Sequence, residues 1–341
     1  MEKIFIFEKE IMKKREKDSL FTFIDLFAGI GGFHLALHSL GGECVYASEW
    51  DSYARKTYRE NYYSTSPELF DYDMFRGDIT DPENQECIPE DIDVLCAGFP
   101  CQPFSQAGFK KGFDEARGTL FFEIANIIKN KNPKSFFLEN VRHLFAHDNG
   151  KTFDTIKKIL VEDLNYSLYY QIVKASDYGL PTHRPRLFMV GFRDDLKENI
   201  DFSFPDPVPL KFTMSHVFNG KCNKDIGYTV RVGGRGSGLN DRRNWDSYLV
   251  NGKERKITSK EAKAMMGFPE NFVFPVTEAQ ALKQLGNSVA VLPVKLVAQN
   301  IIKSLRVNVE KNSTNYKNLD VRSNIWNIRA SSSKSTCILV S

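Results

Sequence analysis

The chain carries 341 residues, 42% of them hydrophobic and 26% charged, enough apolar material for one large domain with a smaller one attached. No apolar run approaches the roughly 18 to 20 residues of a membrane span, and the opening MEKIFIFEKEIMKKREKD is too charged for a secretory signal, so a cytoplasmic protein with no membrane partner is expected. A net charge of +3 is too small to imply a nucleic-acid partner without local clustering, and six cysteines without a CxxC pair argue for free thiols rather than a disulfide framework.

Residues 1–20 read as a charge-rich N-terminal extension. From Phe21 the pattern changes: FTFIDLF is a short β-prone run, AGIGG a glycine-rich turn, and FHLALHSL a helix with Phe33, Ala36, Leu37 and Leu40 on one face. The runs ECVYAS (43–48), IDVLCAG (92–98), SFFLEN (135–140) and LFMVGF (187–192) read as buried strands, with helices expected at 120–130 and 152–164. Such alternation predicts a doubly wound α/β sheet with ligands at the carboxyl ends of its strands. The proline-rich FSFPDPVPL (202–210) suits an interdomain connection. Residues 211–256 have few apolar runs and many glycines and arginines; helices return in SKEAKAMMGF and at 290–305, and the Asn/Ser-rich stretch beyond about 308 reads as a mobile tail.

Three features carry chemistry. FIDLFAGIGG joins strand to helix through glycines that allow a tight turn and close ligand approach, yet it is not GxGxxG, because His34 stands at the third glycine position. Glu49 follows Gly29 by 20 residues, beyond the second strand, where a carboxylate can hold both ribose hydroxyls; Asp78 in RGDIT can reach an adenine amine. Together they suggest a nucleoside-containing cofactor without a pyrophosphate. In GFPCQPFSQAG, the strand before it delivers Cys101 to the sheet edge between Pro100 and Pro103, which fits either a packing thiol or a presented nucleophile. Glu139 ends the strand SFFLEN, and HRPR puts Arg184 and Arg186 directly before LFMVGF.

Taken in order, FAGIGG, SEWD, GDIT, GFPCQPFSQAG, ENV, HRPRLFMVG, KEAKAMMGFP and GNSVAV resemble the ordered motifs of cytosine-5 DNA methyltransferases of the bacterial restriction-modification type, from about Phe21 to Leu305. The resemblance implies a Rossmann-like fold that uses S-adenosyl-L-methionine, with a small target-recognition domain. The expected organisation is a catalytic and cofactor domain at 21–204, target recognition at 205–256, a return segment at 257–306 and the tail at 307–341.

By the same resemblance, Cys101 adds to carbon 6 of a flipped-out cytosine, so that carbon 5 can attack a sulfonium methyl. Glu139 holds N3 and the exocyclic amine, Arg186 lies on the O2 side, and Arg184 supports the site or the DNA backbone. Cofactor contacts fall on Phe27, Ala28, Gly29, Ile30, Gly32, Glu49, Trp50, Asp78, Ile79, Pro100, Leu120, Asn287, Ser288 and Val289. Two departures from the family pattern stand out: Thr182 replaces the usual glutamine ahead of the two arginines, and KEA (260–262) replaces an Arg-Glu start.

Residues 221–256 carry nine basic and four acidic side chains, a local charge of +5 that exceeds the whole chain's. YTVRVGGRGSG within this stretch resembles the family's recognition segments, so Thr229, Arg231, Gly233, Gly234 and Arg235 are expected DNA contacts together with Gln102 beside Cys101, an arginine gripping guanine O6 and N7 or touching only phosphate. Double-stranded DNA is the expected partner, a restriction endonuclease the functional pair, and a monomer the expected state. Three other readings compete: a transfer-RNA cytosine-5 methyltransferase, whose relatives usually carry PPCQ; a catalytically silent DNA-binding relative, which would have lost Cys101 or Glu139; and a zinc protein using His34 with His38 or His143 with His147. Neither histidine pair has a third-ligand pattern, so no metal is expected.

Overall fold

The computed structural model describes residues 20–100, 120–233 and 236–306. Cys101, Gln102, Gly234 and Arg235, most of the N-terminal extension and the tail lie outside the described residues.

The first half is built of alternating strands and helices: β1 (Phe21–Leu26), α1 (Gly32–His38), β2 (Gly42–Ser48), α2 (Ser52–Tyr62), α3 (Pro67–Asp71), β3 (Phe75–Arg76), α4 (Pro82–Glu86), β4 (Val94–Gly98), α5 (Leu120–Lys131) and β5 (Ser135–Val141). Every residue of β1 is buried, as a strand covered by helices on both faces requires. Local chemistry starts the helices: Asp51 caps α2 by accepting from the Tyr53 and Ala54 amides at 2.9 and 3.0 Å.

The second half departs from simple alternation. After α6 (Lys151–Lys158) come β6 (Tyr166–Lys174) and β7 (Pro185–Arg193), completing a seven-stranded sheet of order β3-β2-β1-β4-β5-β7-β6. Strands β1 to β5 run parallel, whereas β7 is antiparallel to both β5 and β6. This reversal decides where HRPR lies: the start of an inserted antiparallel strand meets the carboxyl ends of its parallel neighbours.

Two elements escape the sequence pattern. Strand β6, YSLYYQIVK, is a half-exposed sheet edge with few fully buried positions, so it lacks an apolar run. The helix expected over 152–164 is α6 followed by a π-helical turn at Ile159–Asp163. Phe202, at the start of the proline-rich passage, packs on Tyr169 and Phe192, and the Val208 amide donates to Asp177. That passage is thus anchored along β6 and β7.

Beyond it, α7 (Met214–Phe218) and the hairpin β8 (Ser247–Val250) and β9 (Lys253–Lys256) surround buried Trp245, Tyr248, Val230 and Phe218. The Trp245 indole donates to the Gly233 carbonyl, and Tyr248 accepts from the Tyr228 amide. The glycine- and arginine-rich segment therefore has an aromatic core, built from single residues too scattered to register as apolar runs. The chain returns through α8 (Ser259–Met265), α9 (Glu278–Asn287) and α10 (Val291–Arg306), with α10 packing on α1. Contrary to the sequence expectation, one 18-residue window within 278–305 is apolar enough for a membrane span, but the helices break between Asn287 and Val291 and 67% of that window is buried.

Candidate active site at the carboxyl edge of the sheet

Strand β4 ends at Gly98, then buried Phe99 and exposed Pro100 lead toward Cys101. The next strand fixes this exit. Asn140 Nδ2 donates to the Phe99 carbonyl at 2.9 Å, while Asn140 Oδ1 accepts from the Val141 amide. Asn140, unassigned by the sequence reading, ties the lead-in of the cysteine loop to β5. Its signal was its place beside Glu139 at a strand end.

Glu139 is almost wholly buried, with its Oε1 2.9 Å from Nε of Arg186. A Cβ added at Gly98 would sit 3.6 Å from both Glu139 Oε2 and Val289 Cγ1, so this carboxyl stands over the end of β4 beside the return segment. Burial pushes the Glu139 carboxyl above its usual range, while Arg186 and Arg184 oppose the shift. Arg184 is 2% exposed and faces main chain: Nη1 donates to Val230 O at 3.2 Å, and Nη2 donates to Gly286 O at 3.0 Å and to Ser288 O. Burial lowers its pKa to about 9, so it remains a cation near neutrality. Thr182, buried completely, donates its hydroxyl to Tyr228 O at 2.9 Å.

The other wall starts at the turn after β1. Phe27 has φ 55° and Gly29 φ 58°, and none of the described residues beyond its chain neighbours lies within 4 Å of where a Gly29 side chain would begin. The Ala28 amide donates to Ser48 O, tying this turn to the end of β2. The Gly29 and Asp51 amides donate to the two oxygens of Glu49 at 2.8 and 2.7 Å. Burial pushes the Glu49 carboxyl up, with those two amides opposing. Trp50 is 79% exposed, an indole face open to a planar ligand.

The remaining expected cofactor residues converge unevenly. Ile30 and Ile79 are buried, and exposed Asp78 accepts from the Thr80 amide and hydroxyl. Leu120 opens α5, and Asn287 closes α9. A Cβ at Gly32 would lie 2.5 Å from Val289 Cγ2 and 3.0 Å from Ser288 Oγ, so α1 begins directly against the return segment. A glycine turn, a carboxylate fixed by main-chain amides and an exposed indole fit a nucleoside-bearing cofactor.

Of the residues expected to contact DNA, Thr229 is half-buried, and Arg231 and Gly233 are exposed. A Cβ at Gly286 would lie 2.6 Å from the Arg231 carbonyl carbon, so the Arg231–Val232 backbone rests on the end of α9. Gly286 was also missed, because a close backbone approach leaves no local pattern in sequence.

His34 is engaged elsewhere: Nδ1 meets the Tyr58 hydroxyl at 2.7 Å, Nε2 meets Ser66 Oγ at 3.3 Å, and its ring stacks on Tyr62. Among the described residues no three His, Cys, Asp or Glu side chains group as metal ligands. Cys96, on β4, is fully buried, and burial raises its thiol well above the usual range. It has the features of a packing cysteine.

The sequence profile of the C-5 cytosine-specific DNA methylase family matches residues 21–231 and 211–303. The chain is 40% identical over 338 residues to the type II methyltransferase M.HpaII of Haemophilus parainfluenzae, covering 85% of this chain and 91% of that protein. It is 39% identical over 322 residues to the type II methyltransferase M.HhaI of Haemophilus parahaemolyticus, covering 83% and 94% respectively. The S. pombe Dnmt2 methyltransferase structure shares the fold, with a TM-score of 0.56, 17% identity, and coverage of 84% of this chain and 99% of that one. With a buried carboxyl, two arginines and a glycine turn on one sheet edge, and relatives matching along most of its length, the chain belongs to the C-5 cytosine-specific DNA methylase family and is a DNA cytosine-5 methyltransferase.

Proposed function

We propose that the protein methylates carbon 5 of one cytosine within a short duplex DNA sequence, using S-adenosyl-L-methionine and Cys101, and that it protects DNA from a partner restriction endonuclease. The observation that carries this reading is the Glu139–Arg186 pair beside the exit of β4, whose chain continues through Pro100 to Cys101. When bound, S-adenosyl-L-methionine supplies an electrophilic methyl group on a sulfonium. Gly29, Glu49 and Trp50 would hold its nucleoside part, with Asp78 near the base and Gly32, Ser288 and Val289 along the other wall.

The residues of this chain do the rest. Cytosine carbon 5 is a weak nucleophile, and addition of the Cys101 thiolate to carbon 6 turns the ring into an enamine. Glu139, with a carboxyl biased toward its protonated form by burial, donates to N3 and accepts from the exocyclic amine as electron density builds there. Arg186 orients Glu139 and offers its remaining N–H groups to O2. After transfer, loss of the carbon 5 proton lets the thiolate leave. A base in a duplex is out of reach of such a pocket, so the cytosine is extruded while residues 205–256 hold the opened DNA.

The test is bisulfite sequencing of plasmid DNA from cells expressing the protein, with covalent trapping on 5-fluorocytosine duplexes. One modified cytosine in a repeated short sequence is expected. Unmodified DNA together with methylated transfer RNA would overturn the substrate assignment.

A further inference from the structure

Three segments distant in sequence meet around Thr182 and Arg184. The Gly227 amide donates to Pro181 O and the His183 amide to Gly227 O, both at 3.0 Å, which lays residues 181–184 alongside 227–230. Side chains two apart on the first strip hold carbonyls two apart on the second: Thr182 holds Tyr228 O and Arg184 holds Val230 O. The same guanidinium holds Gly286 O and Ser288 O on the third segment. Thr182, Arg184 and Val230 are all essentially excluded from solvent. One residue further on, the Arg231–Val232 backbone rests against Gly286 too tightly for any side chain there.

A guanidinium is a planar fork with fixed donor directions, so one cation can set the spacing of several carbonyls at once. Its Nη1 and Nη2 donors point at main chain, Nε has no hydrogen-bond partner among the described residues, and the side chain is 2% exposed.

Building on the function proposed above, we propose that Thr182 and Arg184 are positioning residues that set the register of the target-reading backbone, 228–232, against the cofactor wall at 286–288. Sequence discrimination then depends on this clamp, since a shift of Val230 moves Arg231 relative to the base edge it reads. The two residues differ in reach. Among the described residues the Thr182 hydroxyl bonds the recognition segment alone, whereas the Arg184 guanidinium bonds that segment and the cofactor wall.

That difference sets the test. Full-length wild type, T182V, R184K and R184M are compared by steady-state kinetics with plasmid DNA and S-adenosyl-L-methionine. Bisulfite sequencing of the same reactions gives the ratio of methylation at the cognate sequence to that at single-mismatch sequences. T182V should raise the KM for DNA and lower the ratio at least threefold while leaving the KM for S-adenosyl-L-methionine unchanged. R184M should raise both KM values and lower the ratio at least tenfold, with R184K between it and wild type. A fall in kcat with unaltered KM values and ratio would show a catalytic rather than a positioning role, and wild-type behaviour in T182V and R184M would also overturn the clamp. Should R184M fail to fold, T182V decides, since it exchanges only the hydroxyl that bonds Tyr228 O for a methyl of similar size. DNA left unmethylated by wild type would overturn the proposed function as well, whereas active wild type with unaltered variants overturns the clamp alone.

Discussion

Glu139 and Arg186 meet diagonally across β5 and β7: Glu139 pairs in register with Phe188 and Val141 with Arg186, leaving Oε1 and Nε 2.9 Å apart. Diagonal cross-strand neighbours are within reach only of long side chains, which suits this pair. Because β7 runs against β5, a residue near the end of one strand meets a residue near the start of the other. The proposed acid and its orienting cation thus share the ligand edge.

Glu139→Gln should reduce methyl transfer by about 10²–10⁴-fold, the range for loss of a positioned general acid. Stability should move the other way. Burial raises the folded-state pKa of Glu139, so its favourable contribution is full below the ordinary carboxyl pKa near 4.3 and is lost as pH rises through the raised folded value. Thermal melts at pH 4 and pH 8 check this: the variant should gain on wild type at the higher pH, and a constant difference would refute the shift.

Two cysteines on one strand and its exit should behave oppositely. Cys101→Ala should abolish both methylation and the covalent adduct with 5-fluorocytosine DNA. Cys96→Ala should keep both and cost about 1 kcal/mol of stability, as for a typical buried truncation. Denaturing gels of the trapped complex distinguish the two.

The glycines at the segment contacts have separate consequences. A methyl at Gly32 would meet Val289 and Ser288 side chains at 2.5 and 3.0 Å, so Gly32→Ala should weaken S-adenosyl-L-methionine binding more than DNA binding. A methyl at Gly286 would meet the Arg231–Val232 backbone at 2.6 to 2.7 Å, which gives way less readily than a side chain. Overpacking of this kind costs about 1–3 kcal/mol. Calorimetric titration of each variant with each ligand separates the effects.

Arg231→Ala should relax the target at one base pair, with about 1–3 kcal/mol of lost discrimination if the arginine grips guanine. Lys224 is one of the nine basic residues of 221–256, and as a phosphate contact its replacement by Ala should instead weaken binding evenly across sequences and make the salt dependence shallower. Binding measured between 50 and 200 mM salt on cognate and mismatched duplexes tests both assignments.

Elements whose cause is local were legible in the amino-acid order. The buried strands 43–48, 92–98 and 135–140, the glycine turn after β1 and the helix at 120–130 stand where their apolar spacing and turn chemistry put them. The ordered motifs also identified the family, and they brought Glu139, Arg186, Glu49 and the 287–289 stretch into one candidate site. The direction of β7 and the destinations of long-range polar groups emerged only from the folded chain. Nothing local in HRPRLFMVGF distinguishes a parallel from an antiparallel strand, because strand direction is set by where the chain re-enters the sheet. Nor does any pattern reveal that Asn140 reaches Phe99, that Gly286 admits the Arg231 backbone, or that Arg184 turns to three carbonyls. Those contacts join residues 41 to 104 positions apart, and they form only after hydrophobic burial has drawn the segments together.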